Sequence, residues 1–506
     1  MPATPDEEVT QQGAPAERRP AHLGLYGLWA LLAAGLAVYA QTIAFTDDEG
    51  FHLLAAQLIK HGMRPYLDFC FPQAPLNAYW NAFLMRLFGE SWRGPHALAA
   101  LETCAAAILA AQFVLSRFPE RRWSMAGAIA ATVMIGCNIP LVEFGPLGQA
   151  YGAALLAIVA AFRLAIAAVE RGQGWRYAAA GVCAGAAAAS TLLAASVAPV
   201  LLVWMWMRQR EGGRWSRAAA FLAGAAVPFL PVVWLGVQSP RVVWFNIVKY
   251  QLAYRVVYWP NPLPHDVNTL TGWLSDPQSL LLVLLAIFGV LYIARRSGWA
   301  GERRAEFYLC GWLALGICAE LAVAHPTFAR YFCLATPFAG ILAVPGLYAL
   351  GSRVLDPGRP FWPVLLVSVI FAGSLARGLC NDASDSYNWK DYEALARKIR
   401  EVTPPGKEMF SEEEIYFLLK RRPPAGMEFG YSHQLPLPPV ELALLHITSQ
   451  AEQKRELAAG VFGSAATCDE DMIDDYDLYD VFSQSADVNG CTVFWDWKQP
   501  AAGDKK

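Results

Sequence analysis

Apolar runs close to the roughly 20 residues a helix needs to cross a bilayer core recur along this sequence up to about residue 380. The first is LGLYGLWALLAAGLAVYAQTI, Leu23 to Ile43, and others lie near 95–115, 123–139, 147–169, 218–236, 278–294, 305–324, 331–350 and 360–379. The stretch 177–207 is too long for one span and is broken by Ser190-Thr191, Ser196 and Pro199, which predicts two short helices with a turn between them. The pattern predicts an α-helical polytopic membrane protein with about eleven spans. Composition supports this: charged residues are 16% of the chain, against about 25% in soluble domains. A purely soluble enzyme, a fibrous protein and a disulfide scaffold are thereby excluded.

The first run exceeds the apolar core of a typical signal peptide and has no A-x-A-like site before Asp47-Asp48-Glu49, so it is expected to be a retained anchor. Basic residues cluster at Arg18-Arg19, Arg117 with Arg121-Arg122, Arg171 with Arg176, Arg208 to Arg217, Arg295 to Arg304, and Arg353 with Arg359. Eleven spans place every cluster on one side, and Lys/Arg are retained on the cytoplasmic side. The N-terminus is then cytoplasmic, and everything beyond Asn381 is extracytoplasmic. Charge divides the same way: 13 Lys+Arg face 23 Asp+Glu from Asn381 onward, and 27 face 20 before it. The expected domains are a disordered N-terminus (1–22), a membrane domain (23–380) with outer loops 45–94 and 238–278, and a small extracytoplasmic α/β domain (381–506).

In that tail, NWKDYEALARKIREV reads as an amphipathic helix closed by Pro404-Pro405-Gly406, VELALLHITSQAEQKRELAAG as a second helical region, and CTVFWDW as a terminal strand. It carries no Gly-rich phosphate loop and no nucleophile motif. Cys468 and Cys491 are its only cysteines, in a compartment that permits a bridge. Loop 45–94 holds two candidate helices, GFHLLAAQLIKHG and PLNAYWNAFLMRLFG, whose apolar stripes suit the membrane surface or the bundle. Loop 238–278 carries WFNIVKYQLAYRVVYW, whose aromatics with Lys249 and Arg255 suit the headgroup region. Its aromatics sit beside spans and the exposed domain is acidic, so nucleic acid is not an expected partner.

Chemistry concentrates in TDDEGFH, directly after the first span. Asp47, Asp48 and Glu49 stand at the bilayer edge, with His52 one helical turn beyond Asp48. Carboxylates at a helix start also cap free N–H groups and complement the helix dipole, so a structural role and a chemical one both fit. PYLDFCFPQAPLNAYW follows, starting at Pro65.

The segment DDEGFHLLAAQLIKHGMRPYLDFCFPQAPLNAYWNAFLMRLFG resembles the first extracytoplasmic loop of GT-C glycosyltransferases, and in pattern the bacterial lipid A aminoarabinose transferases and the protein O-mannosyltransferases, in or near glycosyltransferase family 39. The matching positions are Asp48-Glu49, Ala74-Pro75-Leu76, Tyr79-Trp80 and Leu87-Phe88-Gly89. HPTFARYFCLATP resembles a second element of that family through His325, Arg330, Tyr331 and Pro337. The likeness covers roughly residues 20–380. Some relatives place a Lys before the proline to meet the lipid phosphate; Ala74 stands there in this chain.

This resemblance implies a GT-C fold and transfer of a monosaccharide from a polyprenyl-phosphate donor to a lipid, glycan or protein acceptor, inverting, at the outer face of the cell (inner) membrane. Such chemistry needs a base for the acceptor hydroxyl and a cation for the leaving phosphate. The resemblance gives Asp48 the base role, with Glu49 to orient it or meet the sugar. Arg330, Lys249, Arg255 and Arg64 are the candidate phosphate cations; Tyr331, His325, Tyr79 and Glu143 are further substrate-binding candidates. No cofactor is required. Asp48, Glu49 and His52 would nonetheless make a donor set for a divalent metal. The competing readings are a transporter or flippase, a polymerase of lipid-linked glycans, and a scaffold presenting the acidic tail. Transporters place ionisable residues inside their spans, and here Glu102, Arg163 and Glu320 are exceptions in spans nearly free of charge.

Overall fold

The computed structural model describes residues 18–43, 48–209, 212–259, 261–295, 302–354, 359–385 and 388–499. Residues 1–17 of the expected N-terminal segment, and Asp47, lie outside these. The first helix begins at Arg18, not at 23.

The chain opens with α1 (Arg18–Thr42), α2 (Glu49–Lys60), α3 (Leu76–Phe88), α4 (Arg93–Arg117), α5 (Arg121–Gly136) and α6 (Ile139–Phe144). It continues through α7 (Tyr151–Arg171), α8 (Gly174–Ser190), α9 (Val197–Arg208), α10 (Arg214–Ala226), α11 (Leu230–Gln238) and α12 (Pro240–Trp244). A π-helical segment (Phe245–Tyr254) leads to α13 (Pro262–Ser275), α14 (Pro277–Arg295), α15 (Glu302–Val323), α16 (Thr336–Val354) and α17 (Phe361–Asp385). Among the described residues, seven segments are long and apolar enough to cross a membrane: α1, α4, α7, α10 with α11, α14, α15 and α17. The expected break at 177–207 is present, where α8 ends at Ser190 and α9 starts at Val197.

Small residues set the helix spacing, as close packing in a bilayer requires. A Cβ on Gly289 of α14 would stand 1.9 Å from the Leu342 carbonyl oxygen of α16, and one on Gly346 would stand 2.0 Å from that of Leu285. The two backbones are in direct contact. Arg117 pairs with Glu170 and, at 3.4 Å, with Glu306, so the ends of α4 and α7 and the start of α15 share one end of the bundle. These are the ends where basic clusters occur in the sequence.

The tail begins with α18 (Trp389–Val402), held by a capping box in which the Asn388 side chain accepts from Lys390 N–H and Asp391 accepts from Asn388 N–H. Next come β1 (Glu408–Ser411), α19 (Glu413–Leu419), β2 (Phe462–Thr467), β3 (Phe482–Val488) and β4 (Cys491–Trp497). The sheet order is β1-β2-β4-β3, with β1 parallel to β2 and the other pairs antiparallel. The second helical region is two helices, Pro439–Leu444 and Gln450–Ala458. Cys468 and Cys491 form a disulfide.

One core spans the bundle, and a second joins α2, the π-helical segment and the tail. In that second core α2 is buried along almost its whole length, from Glu49 to Ile59. The tail is thus packed against α2 and the π-helical segment, with α19 on α2.

Candidate active site

Asp48 sits at the N-cap of α2, yet its side chain makes no cap hydrogen bond. It accepts instead from Arg330 Nη2 at 2.8 Å. Arg330 comes from a short 3-10 helix, Ala329–Leu334, and its guanidinium lies over the Phe328 ring at 4.5 Å. Arg255, after the π-helical segment, donates to the Pro326 carbonyl at 3.0 Å and to the Tyr331 hydroxyl. Four groups on three distant stretches of chain therefore meet: a carboxylate, two guanidinium groups and a phenol.

They line a cavity of about 410 Å³ whose polar wall also includes His52, Gln73, Gln149, Thr191 and Gln251. His52 stacks on Phe51 at 4.5 Å. Burial, and then the charge of Arg330, lower its pKa from 6.5 to about 3, so its imidazole is neutral at ordinary pH. The tail closes part of this cavity through Phe429 and Tyr431. Phe429 meets Phe51 edge-on at 5.1 Å, and the intervening Gly430 N–H donates to Glu413 Oε1 at 2.6 Å. Desolvation at this contact raises the Glu413 carboxyl to about 6. The approach is tight, since a Cβ on Gly50 would stand 2.5 Å from Glu414 Oε2.

A second, apolar cavity of about 890 Å³ lies between α13, α14, α15 and α16. The segment 325–328 separates the two: Pro326 and Phe328 face the polar cavity, and His325 and Thr327 face the apolar one. Asp266 of α13 holds this segment, bonding His325 Nδ1 with one oxygen and accepting from Thr327 N–H at 2.6 Å with the other.

Several candidates lie elsewhere. Glu49 does not line the cavity; its carboxylate turns inward to His96 and the Gly148 amide. Lys249 reaches the tail, where Glu441 accepts from it at 3.4 Å. Arg64 is taken up by Asp68 and Gln238, and shares a separate shallow groove with Tyr79. His325 is bound to Asp266 and points away from Asp48's cavity. Glu143 is on α6 and does not line the cavity. Among the described residues no three His, Cys, Asp or Glu side chains are grouped to hold a metal ion. The Asp48–Glu49–His52 donor set is not assembled, because Asp48 turns to Arg330 and Glu49 turns into the core.

Sequence reasoning did not anticipate His96 or the tail's Phe429 and Tyr431. Each reaches the site only through tertiary packing, and EFGY at 428–431 carries no local mark of it.

No family profile and no curated protein matches this chain. Solved structures do. The crystal structure of ArnT from Cupriavidus metallidurans in the apo state superposes with a TM-score of 0.65 at 15% identity, covering 94% of this chain and 98% of that one. The same protein bound to undecaprenyl phosphate gives 0.62 at 14% identity, covering 95% and 98%. The archaeal oligosaccharyltransferase AglB from Archaeoglobus fulgidus, in complex with an inhibitory peptide and a dolichol-phosphate, gives 0.52 at 13% identity, covering 90% and 70%. The likeness extends through the tail, beyond the stretch that resembled the family in sequence. The fold of this chain is that of the GT-C integral membrane glycosyltransferases.

Proposed function

We propose that this protein transfers a monosaccharide from a polyprenyl-phosphate carrier to a hydroxyl acceptor at the extracytoplasmic face of the membrane, with inversion. The observation that carries this reading is the Asp48–Arg330 pair on the wall of a polar cavity that abuts an apolar one. A donor with a charged phosphate head and a long apolar chain has the same two-part character. The head would occupy the polar cavity and the chain the apolar one, with segment 325–328 between them. The ligand named for the ArnT structure, undecaprenyl phosphate, is of this class.

The step follows from the groups present. Donor phosphate competes with Asp48 for Arg330, whose planar fork suits phosphate oxygens, and Arg255 adds a second positive charge. Asp48, released from Arg330, takes the proton of the acceptor hydroxyl. The acceptor oxygen forms a bond to the sugar's anomeric carbon as the carbon–oxygen bond to phosphate breaks. The electron pair leaves with the polyprenyl phosphate, stabilised by the two guanidinium groups. Neutral His52 beside Asp48 adds no competing positive charge.

The test is transfer of radiolabelled sugar from polyprenyl-phosphate donors by the purified full-length protein in liposomes. Label that moves to an acceptor with release of polyprenyl phosphate is expected. Movement of intact donor between leaflets without bond cleavage would overturn the reading in favour of a flippase.

A further inference from the structure

Glu49 and His96 are both buried, at 0% and 1% exposure. His96 Nε2 lies 2.5 Å from Glu49 Oε1, and its Nδ1 lies 2.6 Å from the Ala40 carbonyl oxygen. The same Glu49 Oε1 accepts from Gly148 N–H at 2.6 Å. Gly148 is gripped from its other side as well, where its carbonyl accepts from the buried side-chain amides of Asn77 at 3.0 Å and Asn81 at 2.7 Å. A Cβ at position 148 would stand 2.7 Å from Leu53 Cδ2 and 2.8 Å from Glu49 Oε1, so a side chain there would have to displace the Glu49 carboxylate. One carboxylate oxygen thus ties together α1, α2, α4 and the turn before α7, and α3 joins through Gly148.

Proton counting shows how a carboxyl group survives there. A carbonyl oxygen only accepts, so His96 carries a proton on Nδ1. The contact between Nε2 and Oε1 holds a second. The pair therefore has two protons and no net charge, whichever partner holds the shared one. A buried carboxylate without such a partner would be costly.

Neither Glu49 nor His96 lines the cavity, but the residues adjoining the network do. Asp48 precedes Glu49, and Gln149, Ala150 and Tyr151 follow Gly148. We propose that Glu49 and His96 are positioning residues for the transfer step, holding the backbone of Asp48 and the Gln149–Tyr151 wall at a fixed separation. His96 acts through Glu49 and touches no substrate. This role rests on Asp48 being the base.

The test is a double-mutant cycle on the full-length protein with His96→Ala, Glu49→Gln and the pair, assayed with a polyprenyl-phosphate sugar donor and followed by thermal unfolding. Misplacing a reacting group by about 1 Å costs up to roughly 100-fold. Each single variant is therefore expected to lower kcat by about 10- to 100-fold while moving the donor KM less than about threefold. If His96 works through Glu49, the double variant is no slower than the slower single by more than about twofold. His96→Gln, which restores a donor toward Glu49, should recover part of kcat; if His96→Ala fails to fold, His96→Leu, which fills the ring's space without a donor, takes its place in the cycle. Multiplying losses, or a near-normal kcat in His96→Ala, would overturn the role. A wild-type protein that transfers no sugar would overturn the proposed function, and this role with it.

Discussion

Asp48 Oδ2 and Arg330 Nη2 are 2.8 Å apart although 282 residues separate them in the chain. The contact joins the N-terminal end of α2 to the 3-10 helix Ala329–Leu334 and forms part of the wall of the polar cavity. The Asp48 side chain makes no cap hydrogen bond to α2. A capping aspartate would turn back to its own helix N–H groups, and this one turns to the cavity.

Asp48→Asn is expected to lower transfer by about 10²–10⁴-fold, the usual cost of removing a general base. The amide oxygen can still accept from Arg330, and no cap is lost, so the melting temperature should change little. Initial rates and thermal unfolding on the same preparation check both halves. Near-normal transfer would remove Asp48 from the chemistry.

Arg330→Lys keeps a positive charge and loses the planar fork. A hydrogen bond to a charged group is worth about 1.5–3 kcal/mol, so donor KM should rise roughly 10- to 100-fold. Lys249→Ala and Arg64→Ala should leave it within about twofold, because those cations are engaged by Glu441 and Asp68 outside the cavity. Donor titrations with the three variants decide among the cations. A larger effect at Lys249 than at Arg330 would relocate the phosphate.

The elements of this fold were legible where the pattern is local. Seven of the apolar runs coincide with helices long and apolar enough to cross a membrane among the described residues, the break at Ser190 separates two helices, and Asn388 to Val402 reads as an amphipathic helix. The cavity groups Asp48, Arg330, Arg255 and Tyr331 are all among the candidates the sequence offers, Arg255 as one of four cations. Their pairing is not legible there. Lys249 and Arg64 have the same chemistry as Arg255, and only packing decides that Glu441 and Asp68 occupy them. Glu49 sits beside Asp48 in the sequence, but successive residues on a helix point about 100° apart, so one faces the cavity and the other the core. His96 lies in a span start that reads as a membrane boundary and meets Glu49 only in three dimensions.

The Cys468–Cys491 bridge links the end of β2 to the start of β4, next to the paired residues Thr467 and Thr492. Alkylation of the unfolded protein without reductant should leave both tail thiols unlabelled, and mass spectrometry should show label there only after reduction. In the chain-entropy picture a loop of this size contributes roughly 3 kcal/mol. Cys468→Ser should therefore lower the tail's unfolding temperature measurably. Two labelled tail thiols without reductant would show that the bridge does not form.

Acid should destabilise the site through His52. Burial, then Arg330, depress its folded-state pKa to about 3 from an ordinary value of 6.5. Above pH 6.5 the ring is neutral whether the chain is folded or unfolded, so it imposes no penalty. As pH falls from 6.5 toward 3, the unfolded chain takes up a proton that the folded chain refuses, and stability drops across that window. His52→Gln removes the titrating ring, so the difference in melting temperature between pH 7 and pH 5 should be smaller in the variant than in the wild type. Glu413, whose folded pKa is raised to about 6, works in the opposite direction, losing stability as pH rises from about 4.5 through 6. Glu413→Gln should accordingly steepen the acid-side loss that His52→Gln relieves. An unchanged pH dependence in both variants would mean that neither burial survives in the folded protein.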